Sequence, residues 1–190
     1  MIAGLRLGFI CSLLWAPVAV PVLAAQTVPS GTLRMGTLSF DGRATVGAFT
    51  GTTTTVTGAM QGGELNAVRG WVEFPVRTLS TGNGHRDRDM NKSMESGAYP
   101  VVRFELSGVT PPASAADSLV TLQGRFTIHG VTREATVPAT VGVSPGAVHV
   151  HAETTINLKD YDIHGLTRML GTLKMDEHVV VHIDLVFGPA

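Results

Sequence analysis

Taken two residues at a time, most of the chain sorts its side chains onto opposite faces. From position 66 onward, Val68, Gly70, Val72, Phe74 and Val76 share one parity, while Arg69, Trp71, Glu73 and Arg77 share the other. Strict alternation of this kind marks a strand with one apolar face. Val102, Phe104 and Leu106 stand opposite Arg103, Glu105 and Ser107. Val120, Leu122, Phe126 and Ile128 stand opposite Thr121, Gln123, Arg125 and Thr127. Further on, Val148, Val150, Ala152, Thr154 and Ile156 oppose His149, His151, Glu153 and Asn157, and Val179, Val181, Ile183, Leu185 and Phe187 oppose His178, His182 and Asp184.

Turn signals separate these runs. His129-Gly130 and Ser144-Pro145-Gly146 read as hairpins. Before them, residues 32–40, 43–49 and 52–57 form three short threonine-rich runs with Asp41-Gly42 and Gly51 as breaks, and the threonine run at 52–55 favours strand because β-branched side chains suit a pleated surface. The pattern gives about eight or nine antiparallel strands, with no linker or internal repeat. One interruption is helical: residues 86–96, in a connection of about twenty residues, suit a short helix with Asn83 as its cap and Gly97 as its stop. Arg86, Asp87, Arg88 and Asp89 nearly cancel there, which favours a local ion-pair corner.

An antiparallel sheet with one apolar face must hide it by sandwiching or by closing into a barrel. A closed barrel of about eight strands is either filled by its side chains or holds one small ligand. Here the apolar parity is rich in Val, Ala, Thr and Gly, with 22 Gly in the chain and only 6% aromatic residues, which makes a hollow interior plausible.

Composition adds that 190 residues, 44% apolar and 15% charged, suit one globular domain. Residues 1–24 read as an export signal: Arg6 ends a positive start, residues 7–22 are apolar, and Val22-Leu23-Ala24 offers a cleavage site. Pro17 and Pro21 argue against a permanent anchor. The expected organisation is a signal at 1–24 and one domain at 25–190, in a periplasmic or secreted protein. Cys11 is the single cysteine and lies inside the signal, after an Ile10 too bulky for lipid modification, so the mature chain is expected to have neither disulfide nor acyl anchor. Without Arg6 it carries 13 basic and 15 acidic residues. No broad basic face points to nucleic acid, and no polybasic cluster in the sequence points to an anionic lipid surface.

The charged connection also carries a resemblance. Ser80-Thr81-Gly82-Asn83 followed by Arg86-Asp87, then Tyr99-Pro100 and Phe104 four residues on, resembles the signature of the YceI-like family of exported, lipocalin-like proteins. Gly124-Arg125-Phe126-Thr127-Ile128-His129-Gly130-Val131-Thr132-Arg133 is similar to that family's second hallmark. The likeness extends over residues 32–187. It departs from the family at residues 33–40, which lack an Asp and a His-Ser pair, and at Asp160-Tyr161-Asp162, where an Asp-Phe-Gly is usual.

The resemblance implies a lipocalin-like antiparallel barrel, with a short helix in the 80–98 connection, that binds or carries a long isoprenoid such as a quinone or polyprenyl phosphate. Burial of apolar ligand surface at roughly 25 cal/mol per Å² would supply the affinity. By parity the candidate lining is Val72, Phe74, Val102, Phe104, Phe126, Ile128, Val150, Val181 and Ile183; simple core filling is the other reading of each. Arg86, Arg88 and Arg133 are candidates for a polar or phosphate head, with solvated surface charge as the alternative.

Catalysis finds little footing. No H-E-x-x-H or P-loop is present, the Ser of Gly142-Val143-Ser144-Pro145-Gly146 falls in a hairpin turn and not on a strand-to-helix elbow, and the five clearest strands place no Asp, Glu or His on the inward parity. His149, His151 and His182 could share a metal only if their strands were adjacent, and His178 lies ~13 Å along the strand from His182. The expectation is therefore a non-enzymatic protein without metal or cofactor. Its partners are an apolar lipid or isoprenoid, with a homodimer left open, no nucleic acid and no integral membrane anchoring. The competing reading is a structural or stress-related exported adaptor that binds another protein through a sheet edge, which requires that the sheet not close.

Overall fold

The computed structural model describes residues 27–45, 47–111, 119–163, 167–168 and 173–189, with 167–168 and 173–174 described by backbone alone. The expected signal at 1–24, Cys11 included, lies outside the described residues.

The strands are β1 (Gly31–Ala44), β2 (Gly47–Thr53), β3 (Thr57–Gln61), β4 (Arg69–Pro75), β5 (Val101–Thr110), β6 (Leu119–Ile128), β7 (Val131–Ser144), β8 (Ala147–Asn157), the two-residue pair β9 (Thr167–Arg168) and β10 (Leu173–Lys174), and β11 (His178–Gly188). A single α-helix, α1 (Gly84–Ser93), joins β4 to β5. The main sheet runs β11-β8-β7-β6-β5-β4-β3-β1-β2, all antiparallel, and β1 also pairs with β11 from Thr32↔Gly188 to Asp41↔Val180. That last ladder closes the sheet into an eight-stranded barrel with one extra strand.

β2 and β3 lie along the same side of β1 in one register, since Leu38↔Thr53 and Thr32↔Ala59 are six residues apart on both strands. The break between them is anchored by the buried Thr53, whose Oγ1 is 2.7 Å from Thr78 Oγ1 and accepts from Thr55 N. Two ladders contain an irregularity, between Leu33 and Met35 and between Leu106 and Gly108. The second leaves Ser107 exposed, while Gly108 is buried and Val109 returns to the interior, where it too is buried.

Two sequence expectations are corrected. Asp41-Gly42 and Gly51 are not breaks: β1 continues to Ala44 and β2 runs through Gly51. These glycines make room for rings. A Cβ on Gly51 would lie 2.3 Å from the Phe40 ring, and one on Gly42 would lie 2.6 Å from the Phe49 ring. Phe40↔Gly51 and Gly42↔Phe49 are directly opposed pairs, so each strand supplies one ring and one gap. The helix is also shorter than expected and shifted toward the N-terminus. Asn83 caps it as the sequence indicates, accepting from His85 N and Arg86 N, but it ends at Ser93 with Glu95, not Gly97, in the left-handed conformation at φ 43°.

The hairpins at His129-Gly130 and Pro145-Gly146 form as expected; His129 and Gly130 both have positive φ, 52° and 75°, which matches the twist of the flanking strands. Buried side chains gather toward the two ends of the barrel. Val28, hydrogen-bonded in both directions to Gly63, stands with Val68 at the end where β4 begins, and Tyr161 and Ile163 stand at the end that carries α1.

Candidate ligand cavity

The barrel holds a partly open cavity of ≈ 680 Å³ that extends from Val28, Leu65 and Val68 at one end to α1 at the other. All nine residues selected by parity lie on its wall. Val72 and Phe74 on β4 face Phe104 and Val102 on β5; Phe126 faces Phe104 from β6, with ring centroids 4.7 Å apart; Ile128 ends the same strand. Across the interior, Val150 on β8 pairs with Leu185, and Val181 and Ile183 on β11 pair with Thr154 and Ala152.

Six of the nine, Val72, Phe74, Phe104, Val150, Val181 and Ile183, are only half-buried although they point into a closed barrel. Their exposed surface faces the void. Val102, Phe126 and Ile128 are buried outright.

The polarity of the wall is lopsided. Among the described lining residues, Ser39 is the one polar residue away from α1; the others, Asn83, His85, Arg86, Asp89 and Ser93, come from α1 and its cap. The same helix contributes Met90 and Met94, whose unbranched side chains adapt to irregular partners. Arg86 lies with its guanidinium carbon 4.3 Å from the centroid of the Phe49 ring, a cation–π contact at the polar end. Arg88 and Arg133 lie elsewhere. Arg88 Nη2 donates to His85 Nδ1 at 2.7 Å on an exposed face, and Arg133 Nε donates to the carbonyl of Asp160.

The Ser80–Asp87 segment positions the polar end. Asp87 accepts from Thr81 N at 2.9 Å, Thr81 Oγ1 at 2.6 Å and Ser80 Oγ at 3.2 Å. Chiefly through the Thr81 hydroxyl, these contacts hold its carboxyl below the usual range despite partial desolvation. This corner fixes where α1 starts, and hence where Arg86 sits.

The histidines take unexpected partners. β8 and β11 are adjacent, yet two of the three outer histidines, His151 and His182, turn to carboxylates: His151 Nδ1 lies 2.6 Å from Asp184, and His182 lies 3.0 Å from Asp41 through Nε2 and 3.1 Å from Glu153 through Nδ1, while His149 stands opposite Val186 and Gly142. Because Asp41 and Glu153 straddle the ring, they do not converge on a common point. Among the described residues no three His, Cys, Asp or Glu side chains are placed to hold a metal ion.

His129, which the sequence marks only as a turn residue, is largely buried. Its Nδ1–H donates to the Tyr161 carbonyl at 3.0 Å and its ring meets Tyr99 edge-on at 4.5 Å. Nε2 is buried without a hydrogen bond, 3.8 Å from Glu95. Positive φ is unusual for a residue with a side chain, and the His-Gly turn was the available signal that this histidine is held by its surroundings.

On the outside of the barrel, Arg103 links Glu73 at 2.6 Å and Glu105 at 3.2 Å while lying over Trp71, and Arg125 adds a contact to Glu105. This ladder is a solvated face. No described helix is long and apolar enough to cross a membrane.

A closed antiparallel barrel with an apolar interior and one polar end defines a lipocalin-like protein. The YceI-like domain model matches residues 33–187, and the chain belongs to that family. Its fold is shared by BcnA of Burkholderia cenocepacia, at 15% identity and a TM-score of 0.68 over 80% of this chain and 95% of that one. A polyisoprenoid binding domain from Saccharophagus degradans, implicated in plant cell wall breakdown, gives 18% identity and 0.68 over 84% and 98%. The YceI protein of Campylobacter jejuni gives 14% and 0.60 over 74% and 84%. Identities this low speak for the fold alone. No curated protein matches the sequence.

Proposed function

We propose that this chain is an exported carrier, periplasmic or secreted, that holds an apolar isoprenoid lipid inside its barrel, with residues 1–24 as the signal and 25–190 as the working domain. The observation that carries this reading is the cavity: ≈ 680 Å³ of partly open space walled by Val, Leu, Ile, Met and Phe side chains, with its charges at one end. That volume falls in the range of small-molecule sites. The printed description of the Saccharophagus domain, a fold relative, names a polyisoprenoid.

In this reading Val72, Phe74, Val102, Phe104, Phe126, Ile128, Val150, Val181 and Ile183 surround the hydrocarbon, and burial of its surface supplies the affinity. The head, a quinone or a phosphate, lies at the α1 end beside Arg86, whose planar fork suits phosphate oxygens. Arg88 and Arg133 take no part in the head site. Holding and releasing a lipid breaks no bond, so the protein needs no catalytic group. The β1–β11 ladder removes the edges of those two strands from a sheet-edge adaptor, which leaves it the far side of β2, paired among the described residues by the single Thr52–Ser80 bridge.

The test is to purify the protein from its native host without denaturant, extract it with organic solvent and identify bound lipid by mass spectrometry. A near-stoichiometric isoprenoid is expected. An extract free of lipid, from protein that also fails to take up a fluorescent apolar probe, overturns the proposal.

A further inference from the structure

The fold gathers cations that the sequence leaves scattered. Arg77 lies in the 3-10 turn Val76–Thr78 that follows β4, and Arg88 and Lys92 are one helical turn apart on α1. All three are exposed, and they line one shallow depression with Asn91 and Glu95 on the outer side of the helix. Among the described residues, none of the three has a carboxylate in ion-pair contact, and the side-chain partner of Arg88 is the imidazole of His85. Glu95 is the one acid in the depression, and its carboxylate lies beside His129. Tyr99 follows Ala98 of the depression in the chain, and Tyr99 and Val101 are each 37% exposed, the Tyr99 ring resting edge-on against His129. Tyr99 lies two residues before β5 and Val101 opens it, paired with Pro75 two residues before Arg77, so cations and apolar side chains share one rim.

We propose that this rim docks the polar end of the cavity onto an anionic bilayer surface. Charge complementarity selects the occupant. The whole chain has a formal charge of −1, so an anionic surface favours approach by the face that concentrates unpaired cations, and that face is the outside of the helix lining the cavity's polar end. The depression is shallow and its cations are spread over the turn after β4 and the outer face of α1, which suits a fluid array of head groups better than one shaped ligand. Tyrosine, with an apolar body and a polar tip, suits the interface between head groups and hydrocarbon. The inference rests on the lipid-carrier reading: a lipid insoluble in water is exchanged where the mouth meets the membrane.

The test is vesicle flotation of the full chain, comparing pure phosphatidylcholine with phosphatidylcholine containing phosphatidylglycerol. The readout is the increment in binding that the anionic lipid adds, so any affinity common to both vesicles cancels. The increment should be present at low salt and weaken as salt rises. The triple variant Arg77→Ala, Arg88→Ala, Lys92→Ala should lose it by roughly five-fold per cation, on the order of a hundred-fold in all. The charge-preserving pair Arg77→Lys, Arg88→Lys should keep it.

Absence of the increment in the unaltered chain, or its survival in the triple variant, overturns the proposal. So does its loss in the Lys pair, which would assign the patch to a partner that reads guanidinium geometry, such as a phosphopeptide. Uptake of a fluorescent apolar probe in vesicle-free solution, unchanged in the triple variant, confirms that the barrel is intact. An unaltered chain that takes up no probe but keeps the increment would sink the carrier reading and leave the docking surface standing.

Discussion

Gly51 carries more structural weight than its position on a strand suggests. The three nearest atoms to a Cβ built there all belong to the Phe40 ring, at 2.3, 2.7 and 3.1 Å. Gly51→Ala should therefore cost about 1–3 kcal/mol, read as a lowered melting temperature. Because the obstacle is one side chain, adding Phe40→Leu should recover part of the loss, so that the double variant is more stable than the sum of the two single changes. The same pair explains why Gly42 and Gly51 read as breaks in the sequence although both lie inside strands. In the sequence a glycine that turns the chain and a glycine that receives a ring look alike, and only the register, which depends on where the hairpin falls, separates them. Asp87 poses the opposite case, since its role was legible from Ser80-Thr81 and the helix start. Asp87→Ala should lower stability on the order of 1–2 kcal/mol at neutral pH, after discounting for solvent access. Its carboxyl is held below the usual value, so the stabilisation is present above the ordinary 3.8 and is lost as pH falls through the lower folded value. The deficit of the variant should accordingly vanish in strong acid; a melting temperature equal to that of the parent at neutral pH would contradict the structural role.

At the scale of elements, the seam where β11 meets β1 and β8 is stitched by His182. Hydrogen bonding to Asp41 in particular raises its pKa above the ordinary 6.5, and Glu153 adds to the effect against some desolvation. Two acceptors on opposite ring nitrogens suit an imidazolium, which donates from both. The contribution of His182 is therefore complete below pH 6.5 and is lost as pH rises through the elevated folded value. Asp41, lowered mainly by Thr50 and then by His182, behaves in the opposite sense, keeping its contribution above 3.8 and losing it as pH falls through its folded value. Melting curves of His182→Gln should fall furthest below those of the parent between these limits and approach them at alkaline pH. Parallel curves across the whole range would show that the ring does not stitch the seam. Helix α1 is the contrasting element: its cap was readable in Asn83, but none of its ten residues is buried. Its amides should exchange with solvent faster than those of β6 or β8, measured by hydrogen exchange. The end of α1 was not readable, because Glu95 takes the left-handed conformation that composition assigns to Gly97.

For the whole molecule, alternation revealed which side chains face inward but not whether they meet. Val150 and Ile183 would sit on the inner parity of a packed barrel and of a hollow one alike; the difference is their half-buried surface, which depends on the separation of opposite walls. Arg88 illustrates the same limit, since a helix of unknown orientation gives no hint of which of its arginines looks inward. If the cavity is the lipid site, filling it should separate occupancy from stability. Val150→Phe, a change that costs 1–3 kcal/mol in a tight core, should cost less than about 1 kcal/mol here while reducing extractable lipid. A large loss of melting temperature would mean that the wall around Val150 has no room.

The ladder between β1 and β11 has a consequence in time as well as in space. Thr32 pairs with Gly188, so the first and last strands are partners, and contacts this distant in sequence slow folding because the intervening loop must be closed first. A chain emerging from the ribosome has neither the closing wall nor the seam until residues 178–188 appear, and until then β1 and β8 each lack the partner that β11 provides. Synthesis therefore leaves a long interval in which the polypeptide is still threadable, and in which its survival depends on whatever shields those edges.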